Sequence, residues 1–236
     1  MYSHSPVIAI TGIDTHIGKT VTTGLLGRYL IHQGRRVITQ KVAQTGCSGL
    51  SEDICTHRHL MGQVLQAEDH QGLTCPYCFA TPCSPHLAAN LAGCSIDPSV
   101  IRRATRALAE RYEVVLLEGA GGLLVPLTEE LSFLDYLEQE GAPLIVVSSP
   151  RLGSINHTLS VLELARHRGL TVLGIIYNRY QEEDTIIGND SARIFFQYLR
   201  RYGHRECVID LYNAQEYLQQ KKPLDFGPLF RHILPA

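Results

Sequence analysis

Short apolar runs alternate along the chain with longer stretches in which apolar side chains recur at helical spacing. Residues 6–11, 36–41, 113–118, 143–148 and 171–177 read as strands, each rich in Val, Ile or Leu. Between them, residues 19–33 read as a helix stopped by Gly34. A second helix opens at Asp97, an N-cap followed by Pro98 at the first helical position, and runs to about Tyr112. A third, residues 154–168, sets Ile155, Leu159, Leu162 and Ala165 on one face. Strands that are apolar throughout and separated by helices predict a mostly parallel sheet with helices on both faces, joined by right-handed crossovers. No repeat, low-complexity tract or Pro/Gly/Ser-rich linker divides the chain, so residues 1–236 read as one α/β domain. Residues 45–93, rich in His, Cys and Pro, predict loops and short helices near the site, and the tail after Asn213 carries little pattern.

Composition narrows the classes. A hydrophobic content of 44% argues against disorder, and a formal charge of -2 gives no basic footprint for nucleic acid or an anionic membrane. No apolar run approaches the roughly 20 residues of a membrane span. The polar start at residues 1–6 lacks a basic region and a small-residue cleavage site, so a mature cytoplasmic protein is expected. Seven cysteines, an odd number, fit reduced thiols better than a disulfide scaffold.

The strongest chemical signal is Gly12-Ile-Asp-Thr-His-Ile-Gly-Lys-Thr20, which follows a strand and opens a helix. A glycine-rich turn there offers phosphate several backbone N–H groups and the positive end of a helix dipole. Lys19 can reach the terminal phosphates, and the Thr20 hydroxyl can ligate magnesium. These features predict a P-loop NTPase fold. Gly12 lies one residue ahead of its usual place, which Ile13 occupies, as in the deviant Walker A group. Chromosome-partitioning and septum-site ATPases of that group carry an extra lysine early in the loop. This chain has Asp14 there, which counts against a nucleotide-switch or scaffold ATPase, the alternative reading.

Glu118-Gly-Ala-Gly-Gly122 follows the third strand, and ligands in such sheets collect at the carboxyl ends of strands. Glu118 can hold magnesium directly or through water, and the glycines let backbone approach phosphate or substrate, unless the segment is simply a strand-to-loop turn. Lys41 ends the second strand and would add a second cation on the same rim, unless it is simply solvated. Asp53 is a further candidate ligand, although taken alone it reads first as a helix cap.

Together these residues resemble the dethiobiotin synthetase family. The match comprises GIDTHIGKT at 12–20, Lys41 with Thr45-Gly46, Asp53, Ser84-Pro85-His86, EGAGG at 118–122, the segment from Leu152 through Gly153, Ser154, Ile155 and Asn156 to His157, and Asn178, across roughly residues 7–180. The resemblance implies a P-loop ligase domain that acts as a homodimer, with Mg2+ as cofactor and ATP as co-substrate. Its partners are 7,8-diaminopelargonic acid and CO2 or bicarbonate. The diamine forms a carbamate, the carbamate attacks the γ-phosphate, and the second amine closes a ureido ring as phosphate leaves. Such a reaction asks the protein for charge neutralisation and alignment.

Carried onto this chain, the resemblance implies catalytic roles for Lys19, Lys41 and Thr15. It assigns magnesium to Thr20, Asp53 and Glu118. ATP contacts fall to Gly12, Asp14, His16, Ile17, Gly18, Lys19, Thr20 and Val21 in the loop. Others fall to Asp53, Glu118, Gly119, Ala120 and Gly121, and to Asn178, Arg179, Asp210 and Leu211 near the base. Thr45 faces the substrate amines or carbamate, while Gly153, Ile155 and Asn156 receive its carboxylate from the partner subunit, and His86 borders the pocket. The chain departs from the family pattern at His16, Val42, Arg179 and 209–211, which bears on base selectivity. An amidoligase related to cobyrinic acid synthases would need an ammonia source for which this length has no room. Cys75-Pro-Tyr-Cys78 is spelled like a redox motif, but no strand precedes it and a poor helix start follows. A zinc site from Cys75, Cys78, Cys83 and His86 would have unusually compressed spacing.

Overall fold

The apolar runs become strands because both of their faces are covered. In the computed structural model, which describes residues 6–180, 182, 184–231 and 233–234, Val7 and Ala9 of the first strand enter one core and Ile8 and Ile10 enter the other. The reading of the N-terminus falls largely on residues 1–5, which lie outside the described residues, as do residues 232, 235 and 236 of the tail.

The first part of the chain runs β1 (Val7–Gly12), α1 (Lys19–His32), β2 (Val37–Lys41), β3 (Gln44–Thr45), α2 (Glu52–Met61), α3 (Ala67–His70), β4 (Cys78–Phe79) and α4 (Pro85–Leu91). The rest runs α5 (Pro98–Ala109), β5 (Val114–Gly122), α6 (Phe133–Glu140), β6 (Leu144–Ser148), α7 (Ser154–His167), β7 (Val172–Asn178), α8 (Thr185–Arg201), β8 (Val208–Leu211), α9 (Ala214–Leu218) and α10 (Gly227–Phe230). Six strands form one sheet in the order β2-β5-β1-β6-β7-β8, and every pairing is parallel. β3 and β4 make a separate two-residue ladder. Register brings the chemistry together: Lys41 of β2 pairs with Glu118 of β5, and Gly12 of β1 pairs with Gly122.

Four features differ from the expectations. The third strand, read over residues 113–118, extends as β5 to Gly122, because the glycines stay in the sheet and, after a register shift, Gly122 still pairs with Gly12. The weakly patterned region contains a full helix, α2, whose buried face carries His57 and Arg58 beside Ile54, Leu60 and Met61. Polar residues on the buried face hide its period. Ser51, not Asp53, caps that helix, accepting from the Ile54 amide at 3.3 Å. Finally, α8 and β8 were not anticipated: β8 is a four-residue, partly buried strand at the sheet edge.

α2 lies tight against α1. A Cβ on Gly24 would come within 2.8 Å of Leu60, and one on Gly27 within 2.9 Å of Met61. Arg58, on the buried face of α2, is only 2% exposed. Its guanidinium grips Asp69 with two bonds, Nε to Oδ2 at 2.9 Å and Nη2 to Oδ1 at 2.8 Å. Thr74 Oγ1 and the Gln66 amide also donate to Asp69, both at 2.7 Å. Burial acts to raise the Asp69 pKa, but the Arg58 bonds and the others outweigh it and hold the carboxyl below its usual value. Its contribution to stability is therefore fully present above the unfolded carboxylate pKa, about 3.9, and is lost as pH falls through the lower folded value. Asp69→Asn leaves Arg58 buried without its counter-charge. Urea unfolding should show a loss of about 3–5 kcal/mol at neutral pH, and a loss below about 1 kcal/mol, the range of an exposed pair, would contradict this account of the α2 anchor.

Candidate active site

The loop between β1 and α1 is shaped by Gly18, whose φ of 99° is left-handed. A Cβ there would also sit 2.5 Å from Asn178 Nδ2. Gly18 caps α1 without a side-chain acceptor, so the first helical amides, Lys19 to Val21, keep their donors for a ligand. Lys19 is 6% exposed, and its Nζ donates to the Asp14 carbonyl at 2.8 Å. Burial, then the Lys41 charge, pull the Lys19 pKa down to about 8, so the group remains mostly cationic at neutral pH.

Beneath the loop lies a cluster of buried charge. Glu118 is fully buried at the point where β5 meets Lys41 of β2. Lys41 Nζ lies 2.6 Å from Glu118 Oε1 and 2.7 Å from Asp53 Oδ2, and donates to the Gly119 carbonyl at 3.1 Å. The Thr20 hydroxyl donates to the same Glu118 oxygen at 3.2 Å. Burial opposes the Lys41 charge, but Glu118 and then Asp53 overcome it, raising the pKa above the ordinary lysine value. Burial likewise acts to raise the Glu118 pKa, and Lys41 with His57 drives it well below the usual carboxylate range. Lys41 is thus a fixed cation rather than a base, and Glu118 a fixed anion.

Loop and cluster open into one cavity of about 720 Å3. Thr15, His16, Gly18, Lys19, Thr20 and Val21 line its phosphate end, with Lys41, Asp53 and Glu118 along one wall and Ala120 and Gly121 nearby. It continues past Thr45 to Pro82, Cys83, Ser84 and Pro85. Three residues with hard oxygen donors, the Thr20 hydroxyl and the Asp53 and Glu118 carboxylates, therefore line the cavity beside the phosphate loop, a set suited to magnesium.

The family described as AAA domain matches residues 7–214. A relative from Chlorobaculum tepidum, ATP-dependent dethiobiotin synthetase BioD, is 56% identical over 206 residues, spanning 87% of this chain and 86% of that one. Another from Pasteurella multocida, ATP-dependent dethiobiotin synthetase BioD 2, is 50% identical over 196 residues, spanning 83% and 92%. The chain belongs to the dethiobiotin synthetase family. Among solved structures, pNOB8 ParA bound to nonspecific DNA superposes with a TM-score of 0.55 over 95% of this chain and 81% of that one. At 15% identity this likeness shows a shared fold.

Several residues that dethiobiotin synthetase resemblance points to lie outside the cavity. Gly12 sits below the loop and Gly119 packs against the Phe133 ring. Asp14 turns outward to pair with Arg151 at 3.0 Å. The Ile17 and Leu211 side chains are buried in the core, leaving only their backbones to act. Asn178 donates to the Ile17 carbonyl at 3.0 Å and accepts from the Tyr180 amide at 3.2 Å, so its amide is engaged at both ends. Arg179 ion-pairs with Asp210 at 2.7 Å and with Glu182, and lies over the Tyr177 ring. Gly153, Ile155 and Asn156 stand at the start of α7, and none of them lines this chain's own cavity. His86 is directed instead to a smaller cavity of about 290 Å3 with Asn90 and Glu129, because α4 presents Ser84 and Pro85 to the main one. Sequence reasoning missed Pro82, Cys83 and Val125 on the wall, and His57 behind Glu118.

The cysteines do not form the chemistry that their spelling suggests. Among the described residues no group of three or more His, Cys, Asp or Glu is arranged to hold a metal ion. Burial pushes the Cys75 thiol up to about 11. Burial and the neighbouring Cys47 push Cys78 to about 12. A thiolate is the reactive form, so these two should resist alkylation while the exposed Cys55 and Cys94 react. Iodoacetamide at pH 7.5 followed by peptide mass mapping should label Cys55 and Cys94 first; early labelling of Cys75 or Cys78 would contradict the assigned environments.

Proposed function

We propose that this chain condenses 7,8-diaminopelargonic acid with CO2 and ATP to give dethiobiotin, ADP and phosphate, as its relatives' name implies. The observation that supports it most is the single cavity in which a phosphate loop, two buried lysines and a row of carboxylates face the same space as Thr45 and Ser84. An amine nitrogen bonds to CO2, forming a carbamate and releasing a proton. A carbamate oxygen then bonds to the γ-phosphorus as the bond to ADP breaks. The second amine attacks the carbonyl carbon and loses a proton, the ring closes, and phosphate leaves with the carbamate oxygen.

In this reading the loop amides and Lys19 bind the β- and γ-phosphates, and Lys41, held cationic, draws carbamate and γ-phosphate together. Thr20, Asp53 and Glu118 would hold magnesium, which when bound neutralises phosphate charge. Thr15 contacts the transferring group, and Thr45 contacts the carbamate. A homodimer would let Gly153, Ile155 and Asn156 of one protomer receive the substrate carboxylate at the other's cavity. A cytoplasmic setting belongs to the same reading. The switch-ATPase alternative finds no support at Asp14, whose carboxylate pairs with Arg151 of its own chain.

Phosphate release should depend on the diamine and bicarbonate together, and equal rates without them would favour a switch ATPase. Lys19→Gln and Lys41→Gln should each lower turnover by on the order of 10²-fold or more in a folded protein, the second with reduced stability because Glu118 loses its buried counter-charge; near-normal turnover in Lys41→Gln would remove its role. Base discrimination should be weak. Asn178 is engaged internally and Arg179 is committed to Asp210 and Glu182. CTP or GTP should therefore match ATP in kcat/KM within about tenfold, or ~1.4 kcal/mol. A thousandfold preference for ATP would reveal a base pocket elsewhere.

A further inference from the structure

We infer that His57 is a positioning residue for Glu118, fixing the carboxylate so that one oxygen faces the phosphate loop. The inference rests on the proposed role of Glu118 toward the metal and phosphates. The two oxygens of Glu118 have separate partners. Oε1 receives Lys41 and Thr20 on the loop side, at 2.6 and 3.2 Å. Oε2 points the other way, to His57 Nε2 at 2.8 Å. An ionised carboxylate only accepts, so the proton of this bond is on Nε2. The other ring nitrogen, Nδ1, meets Thr39 Oγ1 at 3.0 Å. Thr39 Oγ1 in turn accepts from Arg58 Nη1 at 2.8 Å, and Arg58 is anchored on Asp69. The imidazole is therefore held at both nitrogens and cannot turn.

His57 stands four residues after Asp53 on α2, so one helix face delivers both to the Lys41–Glu118 pair. It is fully buried and, unlike Glu118, does not line the cavity, so it acts only through the carboxylate. Without it, Oε2 would be left buried and unpaired. The soft terminal torsion of a glutamate would then let the carboxylate rotate away from Thr20 and Lys41. Partners of this kind behind a metal ligand typically carry 10–100-fold in affinity or activity.

The test compares His57→Leu, which removes the donor, with His57→Gln, whose amide can place a donor near the Nε2 position. Three measurements are made on the full chain: Mn2+ binding in the presence of ADP by electron paramagnetic resonance, ADP binding in EDTA, and kcat against KM for ATP. His57→Leu should bind Mn2+ about 10–100-fold more weakly and lose kcat similarly, with metal-free ADP binding unchanged, and His57→Gln should recover most of both. If His57→Leu does not fold, His57→Asn, too short to reach Glu118, carries the same expectation. Equal losses in the Leu and Gln variants, tracking their melting temperatures, would reduce His57 to a packing role and overturn the inference, as would unchanged Mn2+ affinity. Mn2+ binding needs no diamine, so this result stands apart from the outcome for the overall reaction.

Discussion

A carboxylate with no exposed surface is costly unless its charge is answered at once, and the arrangement of this protein follows from answering it at Glu118. Three elements are required. β2 supplies Lys41 by parallel register, the phosphate loop supplies Thr20, and α2 supplies His57 and, through Lys41, Asp53. Apart from Asp53 and His57, four residues apart on α2, these residues are distant from one another in sequence. The fold can satisfy the cluster only when the sheet, α1 and α2 are all in place. The Arg58–Asp69 lock, which holds α2 down, therefore belongs to the site as much as to the core.

The same charges explain the division of labour between the lysines. Lys41 sits between two carboxylates and is kept cationic, whereas Lys19, buried beside another cation, is pulled down to about 8. Phosphate brings to Lys19 the counter-charge it lacks, while Lys41 is charged in advance. The wall from Lys41 through Thr45 to Ser84 continues the same cavity away from the phosphate loop.

The sheet and the phosphate loop were legible in the sequence because each follows from local pattern: apolar runs for β1, β5, β6 and β7, and glycine with lysine and threonine at a strand-helix junction. Lys41 was legible as a strand-end residue and Glu118 as the last residue of its apolar run, within a strand that continues to Gly122, but their 2.6 Å contact depends on register, which only the assembled sheet fixes. α2 was hidden because buried His57 and Arg58 break the apolar period. That loss also concealed His57 behind Glu118, although its spacing of four residues from Asp53 was a usable signal. The pairing of Arg179 with Asp210, across β7 and β8, was not legible because it depends on the register of two strands distant in sequence.

The central claim is that the γ-phosphoryl group passes to a carbamate oxygen rather than to water, and the fate of that oxygen tests it most directly. In a rapid single turnover with ¹⁸O-labelled bicarbonate, ATP and diamine in unlabelled water, the account predicts that one ¹⁸O from bicarbonate appears in the released phosphate, read by mass spectrometry. Phosphate without bicarbonate oxygen, and carrying solvent oxygen when the water is labelled instead, would show hydrolysis and contradict it.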